Sequence, residues 1–78
     1  MYKRYRLGIR FKDKAIQDLA PLAVTVESVT LSDPDYNIHV VCAASYRDEM
    51  IAAVYGIGRD FAWLEGEGFM DDLGEVNK

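Results

Sequence analysis

The sequence predicts a small α+β domain, a three-stranded antiparallel or mixed β-sheet in the element order β-α-β-β-α, with one long C-terminal helix packed on one face. Three patterns predict it. Residues 2–11 alternate, with Tyr5, Leu7, Ile9 and Phe11 on one side and Arg4, Arg6, Arg10 and Lys12 on the other, the period of a half-buried strand. Residues 24–31 are rich in β-branched side chains, and residues 36–44 alternate again, which gives two more strands. Between Ser45 and Glu65, Met50, Val54, Ile57, Phe61 and Leu64 recur at steps of four and three, the spacing of one helical face.

In the first strand Gly8 falls on the basic side and leaves a gap there, as a bulge or a close approach by another backbone requires. Asp13 then suits a helix N-cap, Ala15, Ile16, Leu19 and Ala20 make a short apolar face, and Pro21 ends it. The other reading makes Lys12-Asp13-Lys14 a turn and leaves the chain extended from Ala15. In the second strand Val24 and Val26 share one face while Val29 and Leu31 share the other, so a bulge near Glu27-Ser28 is needed to reconcile them. Ser32-Asp33-Pro34-Asp35 is turn chemistry. The third strand turns Tyr36, Ile38, Val40, Cys42 and Ala44 inward. Its other face, Asn37, His39, Val41 and Ala43, is apolar enough for a central position.

For the long helix, Ser45 is the expected N-cap, and Asp48 and Glu49 fall in the first turn, where the helix dipole favours negative charge. Gly56 and Gly58 oppose it, each costing about 1 kcal/mol in a helix interior. Either the helix breaks near Gly56 and restarts at Arg59-Asp60, or it runs on with a kink; the stripe keeps its phase across both glycines, which favours continuity. Gly66 and Gly68 supply the stop. Beyond them Phe69, Met70, Leu73 and Val76 are placed to tuck back on the domain, and residues 69–78 read as an acidic tail with a mobile end. A right-handed crossover from strand one to strand two leaves room for the third strand between them. The result resembles, in topology alone, a ferredoxin-like fold without its last strand; a plain meander under one helix is the alternative. Strand one is the expected open edge, and pairing there would make a homodimer.

Seventy-eight residues make one domain. Half of them are hydrophobic and 28% are charged, as in folded globular chains rather than disordered ones. The single cysteine, Cys42, excludes an internal disulfide, which small secreted domains rely on, and its alternation with Val40 and Ala44 makes it a core residue. No apolar run reaches the ~18 residues of a membrane span, and MYKRYRLGIRF alternates where a signal peptide would be continuously apolar. The expectation is a cytoplasmic protein without membrane contact.

The net charge of −4 conceals a polarity. Residues 1–14 carry Lys3, Arg4, Arg6, Arg10, Lys12 and Lys14 against Asp13 alone, whereas residues 65–78 carry Glu65, Glu67, Asp71, Asp72 and Glu75 against Lys78. The two ends either attract one another within the fold or form separate binding surfaces.

Sequence motifs for chemistry are weak. His39, the only histidine, faces away from the core with no serine or acid tied to it by a motif. His39 and Cys42 point to opposite strand faces and cannot share a zinc ion, and the aspartates lack the count and spacing of a calcium loop. Gly56-Ile57-Gly58 is only a fragment of a phosphate loop. No metal, cofactor or catalytic residue is expected, and the chain reads as a non-enzymatic binding protein.

Two surfaces compete for that role. Trp63, Phe69 and Met70 among Glu65, Glu67, Asp71 and Asp72 are aromatic and apolar anchors in an acidic rim, suited to a larger protein with a basic surface. Trp63 and Phe69 could equally complete a small core. Size and acidity fit an accessory or inhibitory protein of the kind phages and mobile elements encode. The alternative is nucleic-acid binding along Arg4, Arg6, Arg10 and Lys12, with Tyr36 or His39 stacking on bases. The sequence pI near 4.7 and the lack of an aromatic ribonucleoprotein motif oppose it.

Overall fold

The computed structural model describes residues 1–31 and 36–77, the side chains of Leu31 and Tyr36 excepted. The expected turn at Ser32–Asp35 and the inward placement of the Tyr36 side chain lie outside the described residues. The elements are β1 (Tyr2–Ile9), α1 (Lys12–Leu19), β2 (Val24–Leu31), β3 (Tyr36–Ala43), a 3-10 turn (Ala44–Tyr46), α2 (Arg47–Tyr55), α3 (Phe61–Gly66) and β4 (Met70–Val76). The strands form one antiparallel sheet in the order β2-β3-β1-β4. This is the split β-α-β arrangement of ferredoxin-like topology, with its last strand present.

One face of the sheet carries Tyr5, Leu7 and Ile9 of β1, Ile38, Val40 and Cys42 of β3, and Met70 of β4. The helices close over that face with Ala15 and Leu19, Met50 and Ile51, and Leu64. Cys42 is fully buried and free, and burial pushes its thiol pKa up, so it packs as a small apolar side chain. The bulge needed in β2 is present: the register with β3 shifts between Val26 and Ser28, leaving Glu27 as the extra residue. The central position expected for β3 also holds.

Four expectations are corrected. First, the sheet has four strands, because the stretch read as an acidic tail forms β4, with Met70 in the core. Two aspartates and a glycine hide a strand from propensity; pairing with β1 forms it, helped by Lys3 on Asp72 and Arg6 on Asp71. Second, β1 is consequently not an edge but lies between β3 and β4. The edges are β2, bent by its bulge, and β4, which carries three acids and an irregular register near Gly74, both features that discourage edge pairing.

Third, the long helix is two helices. Gly56 and Gly58 take φ of 112° and 86°, a left-handed backbone that ends α2 and that side chains with a Cβ rarely adopt. Asp60 then caps α3, its carboxylate accepting from Ala62 N (2.7 Å) and Trp63 N (3.2 Å). Met50 and Leu64 stay buried in the stripe, but Ile57 leaves it and stands 95% exposed. Ser45 lies in the 3-10 turn rather than capping α2, whose first turn does hold Asp48 and Glu49. Fourth, Asp13 sits inside the first turn of α1, while Phe11 occupies the cap position without a side-chain bond. Gly68, at φ 79°, closes α3 with paired bonds from Gly68 N to Glu65 O (3.1 Å) and Phe69 N to Leu64 O (2.9 Å).

Candidate functional site

Two cations of the N-terminal end, Lys3 and Arg6, are paired with two acids of the C-terminal end, Asp72 and Asp71. Lys3 donates to Asp72, and that bond holds the Asp72 carboxyl below its ordinary range. Arg6 donates through Nε to Asp71 (2.7 Å), and its other nitrogens reach Asn37 Oδ1 (2.8 Å) and the Gly68 carbonyl (3.0 Å). Arg4 makes a two-pronged contact with Glu27 (2.6 and 3.1 Å) and lowers the Glu27 pKa. Since β3 separates β1 from β2, this pair bridges over it beside Val41, which is buried although no helix covers that face.

The proposed basic row is therefore divided. Arg4 and Arg6 lie on the helix-free face in internal ion pairs, while Arg10 and Lys12 lie past the end of β1, Lys12 at 3.7 Å from Asp13. The acidic set divides too. Asp71 and Asp72 belong to the strand pairing, whereas Glu65 and Glu67 are exposed at the end of α3. His39 faces Arg6 on one side and Ser28 on the other, with Ser28 Oγ 3.3 Å from Nδ1. Among the described residues no cluster of three His, Cys, Asp or Glu side chains is arranged to hold a metal, and no helix is long and apolar enough to cross a membrane.

Trp63 and Phe69 come together at the end of the molecule where β1 runs into α1 and where α2 breaks. They line a cleft of about 380 Å³ with Gly8, Ile9, Arg10, Phe11, Lys14, Ala15, Asp18, Val54, Tyr55, Arg59 and Leu64. Its floor is aliphatic and its walls are aromatic. The Trp63 and Phe69 rings sit 5.9 Å apart, and the Arg59 guanidinium lies 5.3 Å from the Trp63 ring centroid. Phe11 is 69% exposed, Trp63 46% and Phe69 41%, with Ile57 on the loop between α2 and α3. A few side chains fix this arrangement. The Phe69 carbonyl accepts from Gly8 N and from the Tyr55 hydroxyl, both at 2.6 Å, which is the close backbone approach expected at Gly8. Burial pushes the Tyr55 hydroxyl pKa up, so it remains a neutral donor.

The sequence pointed to Trp63 and Phe69 but not to their neighbours. Strand alternation points Phe11 inward and helical phase does the same for Ile57; each is exposed because its element ends before it, β1 at Ile9 and α2 at Tyr55. Two signals were available. Gly56-Ile57-Gly58 ahead of an Asp60 cap is a helix break, and Asp13 as a first-turn acid marks a helix start just after Phe11. No protein-family model, curated protein or solved structure matches this chain.

Proposed function

We propose that this chain is a non-enzymatic protein-binding module that docks through the cleft end, with Phe11, Ile57, Trp63 and Phe69 as anchors. The observation that carries it is the exposure of Phe11, Trp63 and Phe69 around one concave site, with Ile57 exposed on the loop that also supplies Arg59 to its lining. Aromatic anchors set in a pocket are what binding hot spots are made of, and isolated monomers have little reason to group them. The acidic-surface version, with a basic partner, retains Glu65 and Glu67 beside the anchors but loses Asp71 and Asp72 to internal pairs. An accessory or inhibitory role on a larger intracellular protein fits a module of this size.

A second reading has one observation in its favour. Arg10, Phe11, Lys12, Asp13 and Lys14 form a second concavity beside the cleft, with three cations to one acid, and a ring among cations suits a single nucleic-acid strand. The chain's net charge of −4 opposes it.

The test is affinity capture from a lysate of the native host, with and without nuclease, using the wild type and a Phe11→Ser/Ile57→Ser variant. A stoichiometric protein that survives nuclease and is lost with the variant is the expected result. Capture that disappears with nuclease moves the function to nucleic acid, and equal capture by the variant removes the cleft end from it.

A further inference from the structure

The charge around the cleft runs against the charge of the whole molecule. Among the described residues that line it Arg10, Lys14 and Arg59 stand with one acid, Asp18, which is already engaged by Lys14 at 2.7 Å; Glu65 and Glu67 lie outside the lining, at the end of α3. Arg10 forms no ion pair among the described residues, and Arg59 is placed over the Trp63 ring. Two guanidinium groups thus share the cleft with exposed aromatic rings, Arg59 over the Trp63 ring, and neither holds a carboxylate among the described residues. By contrast, on the helix-free face and along the β1–β4 pairing Arg4, Arg6 and Lys3 each hold a carboxylate. Guanidinium groups favour planar, two-pronged contact with carboxylates.

We infer that the occupant of the cleft is an acidic protein segment, an aliphatic or aromatic anchor flanked by Asp or Glu side chains, with Arg10 and Arg59 receiving the carboxylates. The inference rests on the docking role proposed above and adds the chemistry of the partner. The floor of Ile9, Ala15, Val54 and Leu64 accepts an apolar side chain and offers nothing to a phosphodiester chain. Ile57, 95% exposed on the loop between α2 and α3 that carries Arg59, is a further apolar side chain open to a partner. A polyanion brings one charge per nucleotide against a molecule of net −4, whereas a short segment brings a few carboxylates to a locally cationic rim within a Debye length of about 8 Å.

Selection of a displayed random-peptide library on the intact protein tests this without knowing the partner. Binding of the selected peptides is then read by the fluorescence of Trp63, the chain's only tryptophan. The expected result is enrichment of acidic peptides with a central apolar residue. Their affinity should fall roughly tenfold in Arg10→Gln/Arg59→Gln and fall with added salt. Enrichment of basic or uncharged apolar peptides, lost in Phe11→Ser/Ile57→Ser, overturns the acidic occupant and leaves the docking role standing. No enrichment on any arm overturns both. A saturable Trp63 response to oligothymidylate with none to the selected peptides overturns the inference in favour of nucleic acid. Self-association measured by sedimentation, abolished by the same serine substitutions, assigns the cleft to a second copy instead.

Discussion

The two ends of this molecule treat their charged and aromatic groups in opposite ways. Along the β1–β4 pairing, each cation of the N-terminal strand meets an acid: Lys3 takes Asp72, Arg6 takes Asp71, and across β3 Arg4 takes Glu27. Those groups order a strand that propensity alone would leave as a tail. At the cleft end, Arg10 and Arg59 hold no carboxylate among the described residues, and Phe11, Ile57 and Trp63 are exposed although the core has closed beside them. Compensated charge and buried methionine mark architecture; uncompensated cations over exposed rings mark a surface with something left to bind. Position in sequence does not separate the two, since Arg6 and Arg10 are four residues apart and do different things.

The comparison can be broken most forcefully at Met70. Met70→Ala leaves a cavity where β4 enters the core and should cost about 2–5 kcal/mol in urea unfolding, a large part of the stability of so small a domain. Unchanged stability would mean that β4 is not architectural. The helix break comes next. Gly56→Ala and Gly58→Ala force a Cβ into left-handed backbone, and each should destabilise by about 1 kcal/mol or more. A gain in both stability and helical circular dichroism would instead restore the single long helix and return Ile57 to its stripe.

Tyr55→Phe should cost about 1 kcal/mol by removing the hydroxyl bond to the Phe69 carbonyl. It should also broaden the Trp63 emission if that bond fixes the cleft wall. Asp72→Asn acts through pH. Because the folded-state pKa lies below the ordinary 3.8, the pair's contribution is present above that value and is lost as pH falls through the lower folded value. The wild type should therefore lose stability in acid more steeply than Asp72→Asn, and parallel curves would remove Asp72 from the strand-pairing argument. Smallest of all, Ile57→Ser and Phe11→Ser should change stability by no more than about 0.5 kcal/mol while abolishing docking, since both side chains are exposed.

What the sequence by itself determined is the set of strands and helices with a strong local pattern. Alternation in β1 and β3, the phase conflict that demands a bulge at Glu27 and the burial of Cys42 follow from periods of two and 3.6, and the stop before Pro21 from the proline itself, all of which need only near neighbours to be legible. The break at Gly56 was legible as one of two readings, because a continuous phase and a pair of glycines argue in opposite directions until the backbone chooses positive φ. Tertiary structure alone decided the rest. MDDLGEV becomes a strand because β1 offers it hydrogen bonds, a core site for Met70 and cations for its aspartates, none of which is a local property. The cleft gathers Arg10, Phe11, Arg59, Trp63 and Phe69 from four stretches that meet only when the sheet is complete. Local periodicity reports which face of an element is apolar; which charges are cancelled and which are left at a surface is settled by what packs beside them.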